Sequence, residues 1–154
     1  EDMHFPPMAA ISLLYTMLDN PVKYQVLGAN CVKRQYPIAW MARDMEGREL
    51  SSYGKQGIQE VLYTGNAFIL MNMELFTKIK KPWFAFGWND VVEDFGTEDT
   101  FFQHKVRKEL GVNTYIDHEV SQLLDHIGAW YFRPQHWVDK KDLEADVVKI
   151  QESA

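Results

Sequence analysis

The residues best suited to chemistry are two adjacent carboxylates, Glu98 and Asp99, near the start of a predicted helix. Thr97 is a favoured helix cap and Gly111 a favoured stop, so these signals predict a helix from residue 98 to about residue 110. Its apolar side consists of Phe102, Val106 and Leu110. Because successive residues advance about 100° around a helix axis, Asp99 falls near the middle of that side and Glu98 at its flank. A carboxylate facing the buried side is unusual and suits acid–base chemistry, whereas the plain alternative is a pair of acids favoured by the helix dipole.

A loop rich in aromatic side chains precedes this helix and spans residues 81–96. Its aromatic residues are Trp83, Phe84, Phe86, Trp88 and Phe95. Flat aromatic faces of this kind can stack on a sugar or another planar ligand. The loop therefore favours a ligand-binding role for the two carboxylates that follow it.

Two further residues carry side chains that divalent cations accept as ligands. Asp2 lies in a turn directly before a predicted helix, where a carboxylate suits a hard divalent cation. His126 lies in a predicted turn after a strand, where a neutral imidazole nitrogen suits a metal. The neighbouring Asp125 either orients the ring of His126 or faces solvent. Each candidate also has an ordinary alternative, because Asp2 can be a simple turn aspartate and His126 a surface or packing histidine.

Composition excludes several classes of protein. The 154 residues include 16 basic and 22 acidic side chains, and the resulting net charge of −6 argues against a broad nucleic-acid surface. A single cysteine, Cys31, excludes an internal disulfide framework and a Cys-rich zinc module, and a packed thiol is its favoured role. No apolar run approaches the ~18 residues of a membrane span. The sequence also lacks the nucleophile elbow of serine hydrolases, the phosphate-binding loop and the His-Glu-x-x-His helix of metalloproteases.

Apolar spacing predicts helices and strands that alternate along the chain. In order, we expect a helix over 8–18, two strands within 24–43, a loop over 43–59, a buried strand over 61–71, a short helix over 73–79, the helix described above, a strand over 112–117 and a final helix over 139–151. The length suits one domain. Alternation of this kind predicts a layered α/β unit and not a helix bundle.

The order of these features resembles the second half of a GT-A fold glycosyltransferase of the broad family-2-like group, over residues 1–132. Glu1-Asp2 is similar to the last two positions of the Asp-x-Asp motif that binds the divalent metal, so we expect the chain to begin within that motif. The segment Gly65-Asn66-Ala67 resembles the Gly-x-Gly strand entry beside the sugar, with alanine in place of the second glycine. Glu98-Asp99 resembles the Glu-Asp motif, and His126 resembles the His-x-Gly position that supplies a metal ligand.

The resemblance implies an α/β fold of the GT-A type, a Rossmann-like mixed sheet flanked by helices, as in nucleotide-diphospho-sugar transferases. Residues 1–132 are then the acceptor-side, catalytic part of such a domain, and residues 133–154 are a C-terminal tail with a helix. We expect the nucleotide-binding half upstream, in about 100 residues. The acceptor-side part need not be active alone, and the resemblance implies a cytoplasmic location.

The resemblance also implies a reaction, the metal-dependent transfer of a sugar from a nucleotide-diphosphate donor to a hydroxyl group of a saccharide or other acceptor. Mn²⁺ or Mg²⁺ held by Asp2 and His126 would neutralise the diphosphate leaving group. Asp99, with Glu98 beside it, would be the catalytic base that takes the proton of the acceptor hydroxyl. The residues expected to contact the sugar donor or the acceptor are Gly65, Asn66, Trp83 and Trp88.

Two other functions stay open at this point. The first is a non-catalytic carbohydrate-binding or structural module with a degenerate, truncated GT-A fold. Donor hydrolysis that requires Mn²⁺ and is lost in Asp99→Asn and Asp2→Ala would separate a transferase from such a module. The second is a glycoside hydrolase, but the adjacent Glu98 and Asp99 cannot easily straddle one glycosidic bond at the required separation of ~5–9 Å.

Overall fold

The chain folds as a mixed α/β unit, and the computed structural model describes residues 3–35, 37–89, 94–128 and 131–136. The strands are β1 (Met3–His4), β2 (Val26–Ala29), β3 (Ile58–Val61), β4 (Ile69–Met71), β5 (Gly87–Asn89), β6 (Asp94–Gly96), β7 (Thr114–Asp117), β8 (Asp125–Ile127) and β9 (Tyr131–Phe132). The α-helices are α1 (Pro7–Asp19), α2 (Leu75–Lys78), α3 (Glu98–Leu110) and α4 (His118–Ser121). Two 3₁₀ turns cover Asn66–Phe68 and Pro134–His136.

The largest sheet has four strands in the order β3-β7-β2-β4. The two central strands, β2 and β7, run parallel, with Val26 opposite Thr114. The outer strands β3 and β4 are antiparallel to their neighbours. Two smaller sheets, β1-β8-β9 and β5-β6, complete the described strands. The prediction of an α/β chain with a mixed sheet flanked by helices is therefore confirmed.

Helices cover both faces of the central sheet because alternate residues of a strand point to opposite faces. On one face, Leu27 of β2 packs in a cluster with Leu13 of α1 and Val120 of α4. On the other face, Val26 packs with Phe102 of α3 and with α2. Both clusters are built from buried apolar side chains, so the core has a layer on each side of the sheet.

The two long helices form where the sequence predicts them. Helix α1 starts at Pro7, and a proline is favoured there because its missing N–H would have no helical partner. Helix α3 follows Thr97 and ends at Gly111, which has the left-handed φ of 67° that favours glycine. The Gly111 N–H donates to the carbonyls of Arg107 and Val106. Helix α3 therefore has the predicted bounds, and Glu98 and Asp99 lie in its first turn as predicted.

The second strand predicted within 24–43 is wrong. Residues 38–41 pair locally with residues 31–33, through bonds that include Lys33 N–H to the Ala39 carbonyl at 2.7 Å, and do not join the central sheet. The Trp40 N–H donates to the Glu49 carboxylate at 2.9 Å. This N–H is therefore bonded to a side chain and not to the backbone of a neighbouring strand. Only β2 of this region enters the sheet.

The strand predicted within the run 61–71 forms only at the end of that run, because the chain turns in the middle of it. Strand β3 ends at Val61, a 3₁₀ turn covers Asn66–Phe68, and β4 holds only three residues. The N–H groups of Thr64 and Asn66 donate to side chains of α3 at 2.9 and 3.1 Å instead of to a neighbouring strand. This break forms one wall of the candidate site.

The helix predicted over 139–151 lies outside the described residues, as does most of the predicted tail 133–154. Across the parts of the chain that the structure describes, no helix has both the length and the apolar character to cross a membrane.

Candidate functional site

Four of the predicted site residues, Gly65, Asn66, Glu98 and Asp99, lie together at the carboxyl edge of the central sheet. The parallel strands β2 and β7 both end at this edge, at Ala29 and Asp117. Antiparallel β4 starts there, so the 3₁₀ turn Asn66–Phe68 that precedes it lies at the same edge. The Thr64 hydroxyl ties this segment to β2 by donating to the Ala29 carbonyl at 3.4 Å. In open α/β sheets, this edge is where ligands characteristically bind.

Asp99 lies at this edge and is held by one backbone donor. Its Oδ2 accepts the Asn66 N–H at 3.1 Å, and the side chain is half-buried. Burial raises the pKa of the Asp99 carboxyl, and the nearby charge of Glu98 acts in the same direction, while the Asn66 bond lowers it. A carboxylate with a raised pKa is a better proton acceptor than an ordinary aspartate.

Gln103 connects Asp99 to the turn, and sequence reasoning missed it. This residue is fully buried one helical turn after Asp99 on α3. Its Oε1 accepts the Thr64 N–H at 2.9 Å, and its Nε2 donates to the Thr64 carbonyl at 2.6 Å and to Asn66 Oδ1 at 3.3 Å. Nε2 also contacts the Asp99 carbonyl at 3.1 Å. The signal available in the sequence was a polar residue four positions after Asp99, on the same apolar side of the helix.

Gly65 and Glu98 flank this pair. Gly65 directly precedes the turn, and a Cβ added there would meet the Met41 side chain at 2.3 Å. Glu98 is exposed beside Asp99, and its charge contributes to the raised pKa of Asp99. The predicted residues Gly65, Asn66, Glu98 and Asp99 are therefore brought together.

His126 is buried, and its ring orientation is fixed by a backbone group. Its Nδ1 lies 2.7 Å from the carbonyl oxygen of Val32, which follows β2 closely. A carbonyl only accepts, so Nδ1 is the donor of this hydrogen bond. The two carboxylate oxygens of Asp125 contact His4 and Arg133, each at 3.2 Å. Because the Asp125 oxygens are engaged with those residues, it is the Val32 carbonyl that orients the His126 ring.

Asp2 lies outside the described residues, but its neighbour in the chain is placed. Met3 is the register partner of His126 in the pairing of β1 with β8. Phe5 then packs on Phe68 of the 3₁₀ turn, with ring centroids 4.5 Å apart. Contacts thus run from the strand of His126 to the turn that holds Asp99.

The aromatic loop packs against α2 and α3. Trp83 is half-buried against Phe76, with centroids 5.3 Å apart, and its indole N–H donates to the Ile79 carbonyl at 3.4 Å. Lys105 of α3 holds the loop by donating to the Pro82 carbonyl at 2.9 Å. Trp88 lies in β5, and its side chain is outside the described part of the structure. Among the loop side chains that the structure describes, the exposed aromatic rings are Phe84 and Phe86.

Within residues 3–35, 37–89, 94–128 and 131–136, no group of three or more His, Cys, Asp or Glu side chains is arranged to hold a metal ion. Of the predicted metal ligands Asp2 and His126, only His126 lies within the described residues. No family model matches the sequence, and neither a curated protein nor a solved structure matches it. The chemistry of the site therefore has to be argued from its own residues.

Proposed function

We propose that this chain is the acceptor-side, catalytic part of a metal-dependent glycosyltransferase with a GT-A fold. The observation that carries the proposal is Asp99, a half-buried carboxylate of raised pKa held by the Asn66 N–H at the carboxyl edge of a mixed sheet. That combination suits a proton acceptor beside a bound ligand. The order of motifs along the sequence supplies the reaction class.

In the proposed reaction, Asp99 takes the proton of an acceptor hydroxyl while the hydroxyl oxygen attacks the anomeric carbon of the donor. The bond from that carbon to the diphosphate oxygen breaks, and the nucleoside diphosphate leaves with the bonding electrons. The proton remains on Asp99 until solvent removes it. Burial supports this role, because a raised pKa strengthens the carboxylate as a base.

Asp2 and His126 are the residues that would hold Mn²⁺ or Mg²⁺. The Val32 carbonyl accepts from Nδ1 of His126 and so fixes the orientation of the ring. When bound, the cation would neutralise the charge that develops on the diphosphate. A chain of net charge −6 needs such local neutralisation, because it has no general excess of basic side chains.

The substrate-facing residues follow from the same placement. Gly65 directly precedes the turn next to Asp99 and Asn66 begins it, so we assign both residues to the donor sugar. Trp83 and Trp88 belong to the aromatic loop that packs against α3, and we assign this loop to the acceptor. Exposed Phe86 adds apolar surface to it.

The test is a panel of nucleoside-diphosphate sugars with Mn²⁺, Mg²⁺ or chelator, scored by release of the nucleoside diphosphate. We expect metal-dependent release by the wild-type chain, reduced in Asp99→Asn and Asp2→Ala. Lys108→Gln is the matched control, since Lys108 is an exposed residue of the same helix. Release that neither substitution changes would contradict the mechanism. Saccharide binding without any turnover would indicate the non-catalytic module instead.

A further inference from the structure

A short hairpin follows β2 at the carboxyl edge of the central sheet. Val32 and Trp40 are antiparallel bridge partners, and the Met41 N–H donates to the Cys31 carbonyl at 3.0 Å. We call residues 31–35 and 37–41 the β2 hairpin. Its two sides contact two different parts of the candidate site.

The first side of the β2 hairpin contacts the strand of His126. The Val32 carbonyl accepts from Nδ1 of the buried His126 at 2.7 Å. Two residues further along, Nη1 of Arg34 lies 3.5 Å from the carbonyl oxygen of Ile127, the residue after His126. The hairpin therefore holds the His126 ring through a backbone group and places a guanidinium beside the same strand, β8.

The second side of the β2 hairpin contacts the segment that bonds Asp99. The Met41 side chain lies so close to Gly65 that a Cβ added to this glycine would be 2.3 Å from it. Gly65 directly precedes the turn that begins at Asn66, and the Asn66 N–H donates to Asp99. The hairpin thus links the proposed metal ligand to the segment of the proposed base.

The β2 hairpin also carries positive charge in an acidic chain. Residues 20–43 contain no Asp or Glu, and their basic side chains are Lys23, Lys33, Arg34 and Arg43. Lys23 lies at the opposite end of β2, and the Arg43 side chain donates to two carbonyls of its own segment at 2.9 and 3.1 Å. The half-buried Lys33 and the exposed Arg34 are therefore the basic residues that the hairpin brings to the carboxyl edge.

Acidic groups near this position have partners of their own. Asp125, which precedes His126, contacts both His4 and Arg133 at 3.2 Å, so a guanidinium offsets its charge. Asp2 is the proposed ligand of the cation. Positive charge on the hairpin is then available to an anion that lies next to His126.

We propose that Arg34, with Lys33 beside it, binds the diphosphate of the sugar donor. The inference rests on the proposed function, in which the diphosphate lies next to His126 because the cation contacts it. A guanidinium donates two parallel N–H bonds to phosphate oxygens, whereas an ammonium acts as a point charge. Arg34 would thus anchor the leaving diphosphate from the protein side, in addition to the cation.

The first test is calorimetric titration of the full chain with inorganic pyrophosphate in the presence of Mg²⁺. Arg34→Gln should raise the dissociation constant by about 10-fold or more, because it removes charge-assisted hydrogen bonds. Arg34→Lys should recover part of this loss, since it keeps the charge and not the planar fork. Lys108→Gln is the matched control, because it removes the same charge from an exposed residue in the last turn of α3. It should leave the dissociation constant within about two-fold of wild type.

Thermal unfolding of the same variants separates loss of binding from loss of folding. Because Arg34 is exposed, Arg34→Gln should unfold at the wild-type temperature. A wild-type chain that binds no pyrophosphate, or an Arg34→Gln chain that binds it as tightly as wild type, would overturn the proposal. In the second case the proposed function stands if release of nucleoside diphosphate still requires Asp99. Weakened pyrophosphate binding in Arg34→Gln, together with turnover that Asp99→Asn does not change, would support the diphosphate site and refute the base.

Discussion

Asp99 combines two properties that oppose each other in a folded protein. The hydrogen bond from the Asn66 N–H favours the charged form of the carboxylate, while burial disfavours that form. Burial dominates, so the pKa of Asp99 is raised. Under the proposed mechanism, the raised pKa makes Asp99 a stronger base than an ordinary aspartate.

Replacing the neighbouring charge should therefore move the titration of Asp99. Glu98→Gln removes a like charge that raises the pKa of Asp99, so this pKa should fall. Because the base must be ionised, the acidic limb of the pH–rate profile should move to lower pH. A carbon-13 titration of the Asp99 carboxyl measures the same shift without any activity. Glu109→Gln, at the far end of α3, is the control, and equal titrations in all three proteins would refute the prediction.

The buried His118 should make the protein less stable to unfolding in mild acid. Its two ring nitrogens lie 2.8 Å from Ser52 Oγ and 2.9 Å from Gln59 Oε1, and the residue is buried. Burial lowers the pKa of His118 from 6.5, Lys55 lowers it further, and Asp117 opposes both. Below pH 6.5 the unfolded chain therefore binds a proton that the folded chain does not. Stability is full above this value and falls as the pH drops toward the folded pKa.

The measurement is the free energy of unfolding by urea at pH 7.5 and pH 5.5. The loss on acidification should be smaller in His118→Asn than in wild type, by at most about 1.4 kcal/mol per pH unit for one proton. Some loss should remain, because burial also lowers the pKa of His104. An identical loss in both proteins would show that His118 does not control acid stability.

Among the elements, the long helices can be predicted from signals within their own segments, whereas the site depends on contacts between residues far apart in the sequence. Helix α3 is predictable because Thr97, its apolar spacing and Gly111 all lie within the segment itself. The turn at Asn66–Phe68 is not, because its flanking N–H groups are bonded by Gln103 and Asp99, more than 30 residues away. Without knowledge of those contacts, the apolar residues in the run 61–71 predict one continuous strand. The position of Asp99 was predictable from helix geometry, whereas its partner Asn66 was known only as a motif residue.

Gln103 should link stability and function at this scale. Gln103→Leu leaves the Thr64 N–H and carbonyl without their buried partner, so we expect a loss of about 2 kcal/mol of unfolding free energy. The turn that carries Asn66 should also loosen, which hydrogen exchange at residues 64–66 would report. Lys108→Gln, on the exposed side of α3, should change neither quantity. Unchanged exchange in Gln103→Leu would mean that the turn is held by other contacts.

For the whole molecule, the net charge of −6 and the proposed reaction fit together only with a local cation. Under the proposed reaction, a diphosphate would be repelled by the average surface of the chain, so we expect binding of the donor to depend on the metal. Under this proposal, metal binding by Asp2 and His126 and proton removal by Asp99 are separable, since different residues would perform them.

The most direct test compares wild type and Asp99→Asn at saturating Mn²⁺ and donor, with bound nucleoside diphosphate and turnover measured in the same samples. Asparagine keeps an oxygen to accept the Asn66 N–H but cannot take a proton. We expect Mn²⁺-dependent binding within about two-fold of wild type and turnover lower by about 100-fold or more. Equal turnover in the two proteins would contradict the assignment of Asp99 as the base, and with it the proposed function.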